Sequence, residues 1–147
     1  MLLGRQLPFE VIHATQLISS YLKDGALSLR GEIGKVAYHD PCELARQMGV
    51  VEEPRFILTK LGTLKEFDKR GSETQCCGGG GFLKVTNERI TNMVAQLRVN
   101  QALEMGIDVL ATACPSCKMN LSEGAKVLNT NINVVDLVEV VARNLEV

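Results

Sequence analysis

The 147-residue chain has almost no net charge, sixteen Lys and Arg against seventeen Asp and Glu, a balance of −1. Its short basic clusters are interleaved with acids and read as solvated surface, so it offers no basic face for nucleic acid. No apolar run approaches the roughly eighteen residues of a membrane span. The opening MLLGRQLPFE lacks a positively charged start, a long apolar core and a small-residue cleavage site, so this stretch is not expected to be a signal peptide. The expected location is the cytoplasm, with any membrane association peripheral and through a partner. The even cysteine count of a disulfide framework is missing too, since there are five in a chain that is neither short nor visibly secreted.

What is present is globular in its proportions. Hydrophobic residues at 46% and charged residues at 22% are ordinary usage, enough for one domain with a real core. The five cysteines are not scattered as buried structural thiols would be. Cys76 and Cys77 are adjacent and run into Gly78 to Gly81, Cys114 and Cys117 form CPSC, and Cys42 follows HDP.

Short apolar strands alternate with helical patterns, which predicts an α/β fold, a mostly parallel four-stranded sheet flanked by helices in Rossmann-like layers. KVAYH (35–39), TLKEFDK (63–69), DVLATA (108–113) and NINVVD (131–136) read as strands. EEPRFILTKLG (52–62) reads as a short helix, with acids before Pro54 and Gly62 as its stop. TNERITNMVAQLRVNQALEMG (86–106) is the clearest helix, placing Ile90, Met93, Val94 and Leu97 on one face and ending at Gly106. CPSCKMNLSEGAKVL and LVEVVARNL complete the helices. FEVIHATQLISSYL (9–22) echoes INVVDLVEVVARNL (132–145), pairing Val11 with Val134, Leu17 with Val140 and Leu22 with Leu145. A strand running into a helix is therefore expected at both ends. Residues 1–25 then read as the closing unit of a preceding repeat, making residues 1–147 one domain, the C-terminal half of a tandem pair.

Thirty-three residues separate Cys42 from Cys76, and thirty-six separate Cys77 from Cys114. Each group falls where a strand is expected to end, and in an open parallel sheet the loops at that edge converge on the ligand. Neighbouring side chains diverge, so adjacent thiolates suit two atoms of one cluster better than one tetrahedral ion. Structural zinc sites use two close-spaced pairs, and this chain has one. Iron–sulfur clusters are held by thiolates, four for a cubane, which leaves a fifth as a spare or as the mark of an unusual cluster. Gly78 and Gly79 fit that picture, because glycine backbone approaches a bulky inorganic core and turns its N–H groups toward sulfide. The run lacks Walker spacing, and a flexible linker sits badly against a cysteine pair. CPSC at a helix start also suits a thioredoxin-type dithiol, although that motif opens its fold and this one lies in the last third. His39 reads first as a packed residue, Asp40 and Pro41 as the turn presenting Cys42, and Arg46 and Lys118 as surface cations that could balance cluster charge.

YHDPCELAR, CCGGGGF and ACPSCKMNL, in this order, resemble the cysteine-rich CCG domain of heterodisulfide reductase catalytic subunits and of glycolate and lactate oxidase iron–sulfur subunits. The resemblance covers roughly residues 9 to 145. It implies that Cys42, Cys76, Cys77, Cys114 and Cys117 hold a noncubane [4Fe-4S] cluster that passes electrons to a disulfide, one thiolate bridging irons. It implies as partners a second CCG domain and an electron-donating ferredoxin-like or flavin subunit, and as substrate a small-molecule disulfide or other oxidoreductase substrate. Some members hold zinc instead, so a zinc-binding structural domain and a pure electron-transfer module stand as alternatives. Glu43 replaces the second histidine of the common HDPCH form, which leaves that position without its usual role.

Overall fold

The structure, a computed structural model, describes residues 8–146. The opening MLLGRQL, the first seven residues of the proposed closing unit 1–25, lies outside the described residues. Four strands, β1 (Lys35–His39), β2 (Thr63–Lys65), β3 (Val109–Thr112) and β4 (Asn133–Asp136), form one sheet in the order β2-β1-β3-β4, with every pairing parallel. The register sets Val36 beside Leu64 and Val109, and Leu110 beside Val134. Among the described residues there are six α-helices around it: α1 (Ala14–Lys23), α2 (Glu52–Thr59), α3 (Leu83–Thr86), α4 (Glu88–Glu104), α5 (Pro115–Val127) and α6 (Leu137–Arg143), of which α3 is a short turn against α4. This is the expected α/β layering.

Alternation along the strands divides the core in two. Val36, Tyr38, Val109, Ala111 and Val135 pack with Ile57, Leu58, Leu137 and Val140 on the face of α2 and α6. Ala37 and Leu110 pack with Val99, Ala102, Leu121 and Ala125 on the face of α4 and α5, and that second cluster includes Cys77 and Cys117. His39 shares the parity of Ala37, so the last residue of β1 turns toward α4.

Three expectations change. β2 stops at Lys65, because Glu66 leaves the sheet to accept from Arg55 and Phe67 turns under Arg98. Residues 9–13 form no strand; His13 instead caps α1, its Nδ1 accepting from the Thr15 amide while Gln16 accepts from the His13 amide. Both segments thus contain a helix, α1 and α6, but only α6 follows a strand. On α4 the apolar set is not the buried one: Ile90, Met93 and Leu97 are exposed, while Thr91, Ala95, Arg98, Val99 and Ala102 face inward. Close approach explains it. A Cβ on Gly124 of α5 would stand 3.0 Å from Ala95, so this crossing admits only small side chains.

Candidate metal centre

β1 ends in His39 and hands the chain to Asp40, Pro41 and Cys42, after which Glu43–Gln47 make one wide helical turn. Asp40 is more than a turn residue. Buried, it takes two hydrogen bonds from Arg55, at 2.8 and 2.9 Å, and one from the Gly71 amide at 2.9 Å. Its carbonyl accepts from the buried Thr74 hydroxyl at 3.2 Å. A carboxylate taken out of water needs such partners, and these tie the Cys42 loop to the segment leading into Cys76. Arg46 fastens that segment from outside, donating to the carbonyls of Ser72, at 2.8 Å, and Thr74.

The Cys76–Cys77 loop is wedged between α4 and α5. Thr91 donates its hydroxyl to the Gly78 carbonyl at 2.9 Å, and the Asn120 amide donates to the Cys77 carbonyl at 2.6 Å. Gly78 has φ +83° and would press a Cβ against Val94 and the Thr91 carbonyl at 3.1 Å; at Gly79 a Cβ would stand 2.9 Å from Asn120 Cβ and the Ser116 carbonyl. Both positions need glycine for helix packing. The freed amides do point at sulfur, Gly78 N–H to Cys76 and Gly79 N–H to Cys77, both at 3.3 Å.

β3 delivers Cys114 to the start of α5, where Pro115 occupies the first turn and Cys117 faces inward. Cys77 and Cys117 are buried with their sulfurs 3.2 Å apart, and Cys76 is exposed beside the half-buried Cys42. All five thiols are free and meet at one edge of the sheet, linked through neighbouring sulfurs. Their protons are shared unequally. Hydrogen bonding from Cys117, then the Cys117 and Ser116 amides at the helix start, hold Cys114 down at about 6. Cys77 is also pulled down, first by the Cys117 thiol, whereas Cys117, donating to both, is pushed up. Burial raises Cys76 although the Gly78 amide opposes it.

A ring nitrogen of His39 and the Cys77 and Cys117 sulfurs lie within 4.8 Å of one another, all three residues buried. Burial first, and the neighbouring Arg98 with it, push the imidazole below its ordinary value although the Cys77 thiol opposes them. Arg98 itself is 2% exposed, its guanidinium 3.4 Å from the Phe67 ring centre. Of the two cations near the cysteines in sequence, Arg46 holds carbonyls and Lys118 pairs with Glu139 at 2.7 Å, so neither is turned to the sulfurs. Glu43 is exposed. The sequence reading missed Arg98, Asn120, Thr91 and Arg55. A polar residue at a helix position flanked by buried alanines was the one available signal, present for Arg98 between Ala95 and Ala102.

The donor set fits an iron–sulfur group. Soft thiolates select iron–sulfur or zinc, and backbone N–H groups already face two sulfurs. Comparison with known proteins agrees. The profile of the CCG cysteine-rich domain matches residues 36–122. The dihydromethanophenazine:CoB–CoM heterodisulfide reductase of Methanosarcina barkeri has a subunit that is 40% identical over 98% of the chain and 36% of its own length. The probable iron–sulfur-binding oxidoreductase FadF of Bacillus subtilis is 30% identical over 92% of the chain and 20% of its own length. EtfAB:quinone oxidoreductase of Syntrophomonas wolfei is 29% identical over 94% and 21%. The chain thus spans about a third or less of these relatives, and no solved structure matches it. A profile match across all three cysteine groups, with a relative at 40% identity over nearly the whole chain, places this protein in the CCG cysteine-rich domain family.

Proposed function

We propose that this chain is a heterodisulfide-reductase-like redox module in which Cys42, Cys76, Cys77, Cys114 and Cys117 hold a noncubane [4Fe-4S] cluster. The observation that carries it is convergence: three loops from separate strand ends bring every thiol of the chain to one edge. The exposed Cys76 and half-buried Cys42 form its open side, the side from which a small disulfide would approach. When bound, such a cluster supplies single-electron steps and thiophilic iron, and a disulfide needs two electrons and two protons to become two thiols. The chain's own part is to hold the sulfurs in place through Asp40, Thr91 and Asn120 and to present N–H donors to them. A second CCG domain and a ferredoxin-like or flavin-bearing subunit would supply the remaining surface and the electrons, in keeping with relatives that are subunits and are several times longer.

Anaerobic reconstitution with iron and sulfide, zinc being quantified alongside, tests the reading through Cys76→Ser, Cys77→Ser and the double variant. If the two hold different atoms of one cluster, each single change abolishes or transforms its paramagnetic signal and the double change is no worse, as for residues acting as a unit. A normal iron content and spectrum in either single variant refutes five-thiolate ligation. Zinc without iron in the unmodified protein moves the assignment to a structural metal.

A further inference from the structure

The grouping of His39 with Cys77 and Cys117 has the outward form of a Cys/His zinc site, and the hydrogen bonding of the imidazole contradicts it. A metal-bound histidine donates its other ring N–H to a carboxylate, carbonyl or water. Here Nδ1 receives the Nε–H of Arg98 at 3.2 Å. A guanidinium has donors only and does not deprotonate in proteins, so Nδ1 carries no proton and the ring is not an imidazolium. The remaining proton sits on Nε2. That atom is buried and, among the described residues, has no hydrogen-bond partner. With Nδ1 taken by Arg98, Nε2 is the nitrogen left to meet the two sulfurs within 4.8 Å.

We propose that Arg98 locks His39 in the Nε2–H tautomer, so that His39 is not a metal ligand but a hydrogen-bond donor to the Cys77 thiolate. Arg98 is held rigidly for this task. Its Nη1 donates to Gln101 at 3.0 Å, its Nη2 to the Lys69 carbonyl at 3.3 Å, and its plane rests on Phe67. Gln101 is in turn bonded to Gln75, next to Cys76, at 2.9 Å. The donor thus belongs to a framework that also positions the cysteine loop. A hydrogen bond to a cluster sulfur favours the more negatively charged state and raises the reduction potential. His39 thereby acts on the cluster through Cys77, an assignment that rests on the function proposed above.

Two measurements test it. The first uses the reduced 147-residue chain with 15N-labelled histidine, metal-free and with zinc chloride, both diamagnetic. Long-range proton–nitrogen spectra, assigned by His13→Asn, should show His39 protonated at Nε2 with a bare Nδ1, and no zinc shift at either nitrogen. A proton on Nδ1, or a zinc-bound Nε2, overturns the proposal. The second is the midpoint potential of the anaerobically reconstituted cluster, read by paramagnetic resonance. His39→Leu should keep its iron while the reduction equilibrium constant falls roughly tenfold, about 59 mV for one electron, and His39→Gln, which keeps an N–H donor, should recover part of the shift. An intact cluster with unchanged potential in His39→Leu refutes the tuning role while leaving the cluster assignment standing. If the unmodified chain takes up no iron, it is the function reading that fails, and the tautomer is still decided by the first measurement.

Discussion

Exposure and reactivity part company at the cysteines. Cys76 is the exposed thiol, yet burial of its sulfur side and the Cys77 and Cys42 sulfurs nearby push it up from its ordinary value. Cys114 is only half-exposed, and hydrogen bonds from Cys117 and the first amides of α5 bring it to about 6. The thiolate is the nucleophile, so its fraction decides over most of the accessible range. In brief iodoacetamide pulses on the reduced, metal-free chain, Cys114 alkylation should reach half its plateau near pH 6. Alkylation of Cys76 should still be rising at about pH 9, and near pH 7 the half-buried residue should be the faster. Peptide mass spectrometry from about pH 5 to 9 separates the two, and an inflection for Cys114 near the ordinary thiol range would refute this assignment. Of these residues only the cysteines were legible in the sequence, because adjacency and CxxC spacing are local patterns. Arg98, His39 and Asp40 work through partners 59, 59 and 31 positions away, and no local pattern records a contact of that length.

At the scale of elements, β1, α2, β3, α5 and β4 form where their patterns predict, since apolar runs bounded by turn residues carry their own signal. The signal misled on α4. Its apolar stripe of Ile90, Met93 and Leu97 is exposed, because the α4–α5 crossing around Gly124 and Ala95 selects for size before hydrophobicity. The glycine run obeys the same rule, which separates glycines that look alike in sequence. A methyl on Gly79 meets Asn120 Cβ and a fixed carbonyl of α5 at 2.9 Å; one on Gly80 meets nothing within 4 Å and needs no positive φ. Gly79→Ala should therefore cost about 1–3 kcal/mol by overpacking, and Gly80→Ala about 0.5 kcal/mol or less in either direction. For a chain near 150 residues, at roughly 2–4 °C per kcal/mol, thermal unfolding resolves the difference. Equal effects of the two would mean that the loop is not wedged between the helices as described.

Taken as a whole, the molecule uses a parallel sheet to gather thiols from three distant segments, Cys42, Cys76–Cys77 and Cys114–Cys117, two intervals of more than thirty residues. An unfolded chain cannot present that set, so a metal that uses it binds the folded state and adds its binding energy to stability. At a free concentration about one hundred times its dissociation constant, zinc chloride should contribute about 2.7 kcal/mol, less whatever the unfolded thiols bind. That corresponds to a rise in Tm of roughly 5–10 °C. The pH dependence follows from the protons. Cys77 and Cys114 are already displaced toward thiolate, while Cys117 keeps its proton by donating to both. Binding must expel that proton, and releasing it is easier as pH rises, so the increment in Tm should be larger at about pH 8 than at about pH 6. Serine at Cys117 should reduce the increment at both pH values, because a ligand is lost. A zinc increment that is independent of pH in the unmodified chain would show that the metal is bound elsewhere.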